Sequence, residues 1–132
     1  MAKRVVLAYS GGLDTSVAVR WMIENLGVEV VCLSADVGQE GTLEGNREKA
    51  LGAGAIAYEE LGLRQEFADG FLAPLIKANA LYEDQYPLVS ALSRPLIAKK
   101  QVEIARKYGA DGVVHGCTGK GNDQVRFEVS YM

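Results

Sequence analysis

A chain of 132 residues fits one domain, and 48% hydrophobic with 23% charged residues is the balance of an ordinary folded core, which excludes a disordered or fibrous protein. No apolar run approaches the roughly 20 residues of a membrane-spanning helix, and Met1-Ala2-Lys3-Arg4-Val5 lacks the apolar stretch of a secretory signal, so a cytoplasmic protein without a membrane partner is expected. A net charge of -3 offers no basic footprint for nucleic acid; an anionic ligand has to be held by a local arrangement, which favours a small molecule.

The first element is the apolar, β-branched run from Arg4 to Ala8, a buried strand stopped by Ser10-Gly11-Gly12. A helix follows, with Leu13, Val17 and Trp21 at four-residue spacing as its apolar face, Ala18 and Met22 beside them, and Gly27 as its stop. Val28 to Ala35 is almost continuously apolar and predicts a strand buried on both faces. Cys32 lies in that run and reads as a small core residue. A polar loop over Gly41 to Gly45 leads to a short helix over about Asn46 to Leu51, and Ala55 to Leu61 predicts a third strand. Arg64 to Ala80 has a helical composition but carries Gly70 and Pro74, which predicts two helical pieces.

Tyr82 to Pro87 reads as a loop. Pro95 is placed in the first turn of the next helix, whose apolar face carries Ile97, Ile104 and Tyr108. Lys99, Glu103 and Lys107 are four-spaced charge pairs on another face, and Gly109 ends the helix. Gly112 to His115 is a fourth strand, running into the glycine-rich loop Gly116-Cys117-Thr118-Gly119-Lys120-Gly121-Asn122-Asp123 and a helix starting near Gln124. The alternation of strands and helices predicts an open α/β parallel sheet with helices on both faces. In such a sheet, loops beyond the carboxyl ends of the strands form the ligand crevice at the topological switch point, so the two glycine-rich loops are expected to share one site.

Gly11 and Gly12 let backbone N–H groups approach a ligand closely, Ser10, Thr15 and Ser16 add hydroxyls, and the helix contributes its positive N-terminus. The pattern lacks the Gly-Lys-Ser/Thr ending of a Walker A loop and the Gly-x-Gly-x-x-Gly of a dinucleotide fold. Asp14 beside a phosphate cradle is repulsive without a divalent cation, so it points to magnesium held through pyrophosphate; the alternative is a carboxylate that only complements the helix dipole. Cys117 and Cys32 show no metal-site spacing; Cys117 is an inert loop residue or a reactive thiol. His115 reads as a strand-end residue with a satisfied hydrogen bond, and Lys120 as a solvated or charge-stabilising cation.

Ala8-Tyr9-Ser10-Gly11-Gly12-Leu13-Asp14-Thr15-Ser16 resembles the pyrophosphate loop of the N-type ATP pyrophosphatases. Together with His115-Gly116-Cys117-Thr118-Gly119-Lys120-Gly121-Asn122-Asp123-Gln124-Val125-Arg126-Phe127-Glu128, it makes the chain similar to the argininosuccinate synthase family. The first motif is shared with synthetases of GMP and NAD and with tRNA-modifying enzymes, whereas the second is long and specific to one family. The resemblance implies a Rossmann-like, adenine nucleotide alpha hydrolase-like fold and an ATP-dependent ligase of arginine biosynthesis. It joins citrulline to aspartate through citrullyl-AMP, with ATP and magnesium as cofactors and a homotetramer as the assembly. By matching positions, Ala8 to Ser16, Ala35 and Gly116 would contact ATP; Thr118, Asn122 and Asp123 would receive aspartate, with its amine at Asp123; and Tyr86, Asn122 and Arg126 would hold citrulline.

One departure stands at Ala91, where many members carry a hydroxyl for citrulline; Ser90 and Ser93 are the nearest hydroxyls in sequence. The synthetase domain that follows in the family lies outside residues 1–132, and the last helix stops at Met132, so a piece of a longer protein is expected. Two other readings remain: a tRNA-modifying adenylating enzyme with Cys117 as sulfur acceptor, and a non-catalytic nucleotide-binding module.

Overall fold

The computed structural model of the protein describes residues 3–132. In chain order the elements are β1 (Arg4–Ala8), α1 (Leu13–Leu26), β2 (Glu29–Asp36), α2 (Asn46–Gly52), β3 (Ala57–Gly62), α3 (Arg64–Phe67), α4 (Ala73–Lys77), β4 (Leu81–Tyr82), β5 (Tyr86–Pro87), α5 (Val89–Tyr108), β6 (Gly112–Val114) and α6 (Asn122–Tyr131). A π-helical turn, Ala68–Leu72, runs without a break from α3 into α4, so Gly70 and Pro74 interrupt the α-helical pattern but do not divide the stretch into the two separate helical pieces expected.

β1, β2, β3 and β6 make one parallel sheet in the order β3-β2-β1-β6. Val6 pairs with Val31 and Val113, and Leu7 with Cys32 and Val114, so β1 is central. Because side chains alternate along a strand, Leu7, Val30 and Cys32 point to one face and pack with Val19 and Met22 of α1. Val6, Val31 and Leu33 point to the other and pack with Ile104 and Ala105 of α5. Helices therefore cover both faces, as expected, and the order reverses between β1 and β6. That gap is the switch point, and the loops after β1 and β6 flank it.

Gln101 of α5 ties the two sides together. Its side chain is fully buried; Nε2 donates to the carbonyls of Val6 and Val114 at 2.7 Å each, and Oε1 accepts from the Tyr131 hydroxyl at 2.7 Å. One amide thus joins α5 to β1, β6 and α6.

Several expectations fail in detail. Leu13, Val17 and Trp21 are 79%, 56% and 54% exposed, and the buried stripe of α1 is Thr15, Val19 and Met22. Val19 and Met22 of that stripe pack on Leu7, Val30 and Cys32 of the sheet, and Thr15 Oγ1 is held by Ser10 Oγ at 3.2 Å and by the Gly12 carbonyl at 3.3 Å. Pro95 is the seventh residue of α5, which starts at Val89. Having no N–H, it leaves the Ala91 carbonyl without its helical donor. Tyr82 and Tyr86 pair across a two-strand hairpin rather than lying in a loop. Glu103 pairs with Lys100 at 3.1 Å, while Lys99 and Lys107 reach Glu66 and Glu59 on other elements, so the four-spaced pairs do not form. The last helix opens at Asn122, two residues ahead of the expected Gln124.

Candidate functional site

The loop between β1 and α1 is held from both sides. The Tyr9 carbonyl accepts from Ser34 Oγ at 2.7 Å, and the Tyr9 hydroxyl meets Ser16 Oγ at 2.8 Å. Gly11 sits at φ +79°, and a Cβ there would lie 2.0 Å from Asn46 Oδ1, so only glycine fits beneath Asn46. Asn46 is buried and donates to the Ser10 carbonyl at 3.5 Å. Gly12 caps α1 in an extended conformation without a side-chain hydrogen bond, so the first N–H groups of a 14-residue helix have no side-chain acceptor. Ser10 Oγ accepts from Gly12 N–H at 3.2 Å, which shapes the turn.

The loop after β6 repeats that design. Cys117 N–H donates to His115 Nδ1 at 3.2 Å and Gly121 N–H to the Thr118 carbonyl at 3.3 Å. Gly121 then opens α6 in an extended conformation, again without a side-chain cap. The two loops touch: a Cβ on Gly116 would come within 2.9 Å of the Thr15 methyl group.

A cleft of about 580 Å³ lies where they meet, within the size range of roughly 300–1,000 Å³ of small-molecule sites. Of the ATP-contact candidates, Ala8, Tyr9, Ser10, Thr15, Ala35 and Gly116 line it together. Gly11, Gly12, Leu13, Asp14 and Ser16 belong to the same loop and helix start without lining the cleft, and Asp14 is exposed in the first turn of α1. Thr118 and Lys120, the latter at φ +64°, are exposed in the loop after β6, and Asn122 is exposed as the first residue of α6; none of the three lines the cleft. Tyr86 is 56% exposed on the hairpin and is not brought to the cleft. Ser90 and Ser93 both line the cleft; Ser93 is buried, with its hydroxyl donated to the Ser90 carbonyl at 2.8 Å. Of the two hydroxyls near Ala91, only Ser90 is unengaged by that bond.

Asp123 and Arg126, read separately from the sequence, form one cluster with Arg94. Arg94 Nη2 donates to Asp123 Oδ2 and Arg126 Nη1 to Oδ1, each at 3.0 Å. Arg94 lines the cleft. Its guanidinium, first, and Arg126 hold the Asp123 carboxyl below the usual carboxylate range. Arg94 and Asn46 were missed because neither has a local signature; each acquires its place by contacts 29 and 36 residues away.

The Cys117 thiol is pushed up, chiefly by burial and then by the Asp123 charge, whereas a reactive thiol needs the opposite shift. Burial alone pushes Cys32 up to about 12, as suits a core residue. His115 stacks on Phe127 at 5.5 Å between centroids, and its Nδ1 is taken by Cys117 N–H, the satisfied strand-end role expected of it. No group of three or more His, Cys, Asp or Glu side chains able to hold a metal occurs among the described residues. No helix among them is long and apolar enough to cross a membrane.

Residues 4–132 match the Arginosuccinate synthase N-terminal HUP domain family. The chain belongs to this family. Among curated proteins, the argininosuccinate synthase of Syntrophus aciditrophicus is 62% identical over 98% of this chain and 32% of its own length. That of Halalkalibacterium halodurans is 60% identical over 97% of this chain and 31% of its own length. The chain therefore spans about a third of the argininosuccinate synthases it matches. Two solved structures share the fold: an NAD+ synthetase from Burkholderia pseudomallei, with TM-score 0.56 and 21% identity over 86% of this chain and 45% of that one, and an NH3-dependent NAD synthetase from Campylobacter jejuni, with TM-score 0.58 and 11% identity over 100% and 66%. The parallel sheet of the argininosuccinate synthase domain is thus of the HUP, Rossmann-like kind.

Proposed function

We propose that this chain is the ATP-binding portion of an argininosuccinate synthase, an ATP-dependent carbon–nitrogen ligase that joins citrulline to aspartate. The observation that carries the reading is the meeting of the β1–α1 and β6–α6 loops on one cleft at the switch point, with Gly116 against Thr15. In the reaction the ureido oxygen of citrulline attacks the α-phosphorus of ATP, and pyrophosphate departs to leave citrullyl-AMP. The aspartate amine then displaces AMP.

Ala8 to Ser16 would receive the phosphates, since two glycines, the hydroxyls of Ser10, Thr15 and Ser16 and a helix N-terminus without a side-chain cap supply donors where negative charge develops on the leaving pyrophosphate. Ala35 and Gly116 would border the nucleotide from the cleft wall. The single carboxylate at this loop, Asp14, fits magnesium, an ion that keeps several waters and is bound through one or two carboxylates plus substrate phosphates rather than by an all-protein cage. Asp14 would hold it, and the ion would neutralise charge on the pyrophosphate.

Thr118, Asn122 and Asp123 would bind aspartate, with its amine at Asp123, and Tyr86, Asn122 and Arg126 would bind citrulline. The planar fork of Arg126 suits a carboxylate. Tyr86 would have to approach from the exposed hairpin. The whole protein is taken to be a cytoplasmic homotetramer.

The test is pyrophosphate and AMP release by the protein that joins this chain to the remaining two-thirds found in its relatives. Release dependent on citrulline, with argininosuccinate formed only when aspartate is added, is expected; no citrulline-dependent release refutes the reading.

A further inference from the structure

Asp123 is gripped from two elements. Arg126 lies three residues on in α6 and donates to Oδ1; Arg94 arrives from α5 and donates to Oδ2, both at 3.0 Å. The Arg94 guanidinium is itself seated: Nη1 donates to Ser93 Oγ at 3.3 Å, and Ser93 is buried and anchored to the Ser90 carbonyl. Nε of Arg94 is buried with no acceptor. An unmatched buried donor is costly and survives where the group serves something other than stability. Two guanidiniums against one carboxylate also leave the cluster with a surplus positive charge at the start of α6, whose own N-terminus favours an anion, which suits the carboxylates of an incoming amino acid whose amino group faces Asp123.

We propose that Arg94 is a positioning residue for the amino-acid half of the site: with Arg126 it fixes both oxygens of Asp123, so that the carboxylate meets the ammonium group of the incoming amino acid as an oriented, charged acceptor. The inference rests on the reading of Asp123 as the partner of the aspartate amine. The groups facing Asp123 are the two guanidiniums and the Cys117 thiol, which its own raised range keeps neutral near pH 7. Every charge directed at Asp123 from the packed elements therefore favours its ionised form. A carboxylate so held is a weak proton acceptor, and its part is to orient the amino group, whose ammonium proton leaves to solvent before the neutral amine displaces AMP. Arg94 is the half of the clamp that only the fold supplies, since Arg126 and Asp123 would be neighbours on any helix.

Carbon-13 NMR titration of the Asp123 carboxyl in this chain, with Arg94→Met and Arg94→Lys beside the parent, tests the clamp without any turnover. The Met variant is expected to raise the Asp123 midpoint by about one pH unit. The Lys variant, which keeps the charge but not the fork, should fall between Met and parent, and the Glu59 midpoint should stay in place as the internal control. An unchanged Asp123 midpoint in a Lys or Met variant that keeps the parent's amide dispersion overturns the proposal. In the protein that carries the ligation activity, Arg94→Lys should raise KM for aspartate about tenfold, the scale of one charge-assisted hydrogen bond, with KM for ATP nearly unchanged. Equal rises for both substrates would also overturn it. A parent without citrulline-dependent pyrophosphate release would refute the ligase reading and leave the titration to decide the clamp on its own.

Discussion

Gly11 shows how much one residue without a side chain decides. At φ +79° with Asn46 Oδ1 at 2.0 Å from a would-be Cβ, Gly11→Ala combines left-handed strain with a clash against a buried amide. The expected cost is about 1–3 kcal/mol in urea unfolding, with loss of ATP binding by calorimetry. Asn46→Ala, which removes the clash partner, should restore part of the stability of Gly11→Ala; no such rescue would mean that Asn46 does not press on the loop. Asp14 offers a different test. If it meets the nucleotide through magnesium, Asp14→Asn lowers ATP affinity in magnesium and leaves affinity in EDTA unchanged, and equal affinities of variant and parent in both conditions count against that role. Both residues were legible in the sequence, because a tight turn and a carboxylate beside a phosphate cradle are local matters. Asn46 and Arg94 were not, because their significance is a contact.

At the scale of elements, the phase of α1 is the clearest case of a pattern overruled. Spacing made Leu13, Val17 and Trp21 the inner face, and the packing of Val19 and Met22 on the sheet leaves them outward. Trp21, the only tryptophan, should accordingly emit at a solvent-exposed wavelength in the isolated chain and be quenched readily by iodide; a blue-shifted, protected emission would contradict the rotation. α5 gives the complementary test. Gln101→Leu keeps the bulk but strips the carbonyls of Val6 and Val114 and the Tyr131 hydroxyl of a buried partner. It should destabilise the chain by about 1–3 kcal/mol in denaturant unfolding. Hydrogen exchange should quicken in α6 more than in α2, because α6 is tied to the sheet through that amide and α2 is not.

For the whole molecule, pH acts on the buried and paired groups together. Asp36, Glu59 and Asp123 are held below the usual carboxylate range, led respectively by Gly38 N–H, Lys107 and Arg94. Each contributes stability present above the unfolded carboxylate range and lost as pH falls through its lowered folded value. The Cys32 thiol is raised from 9.0 to about 12, so its contribution is complete below pH 9 and fades as pH rises toward 12, by about 1.4 kcal/mol per unit in between. Urea midpoints should therefore plateau near neutrality and fall in both directions. Cys32→Val should lose less on the alkaline side than the parent, and an identical alkaline limb would place the loss elsewhere, with Tyr131, also pushed up by burial, the next group to replace.

The positions of the four parallel strands, helix existence, both glycine loops, the parallel α/β class and the family were all determined by the sequence itself. Near-continuous apolar runs, glycine stops and short-range loop chemistry depend only on neighbours along the chain. The tertiary structure alone decided the rotation of α1, the ion-pair partners of α5, the extended hairpin at Tyr82 and Tyr86, and the joining of Arg94, Asp123 and Arg126 into one cluster. Each of these depends on which surfaces and charges the folded sheet brings within a few ångströms, and that distance is unrelated to separation in sequence. For the same reason the cleft at the switch point was foreseeable as a place, together with the part of its wall that comes from the β1–α1 loop, Ala35 and Gly116, while Arg94 on its α5 side was not.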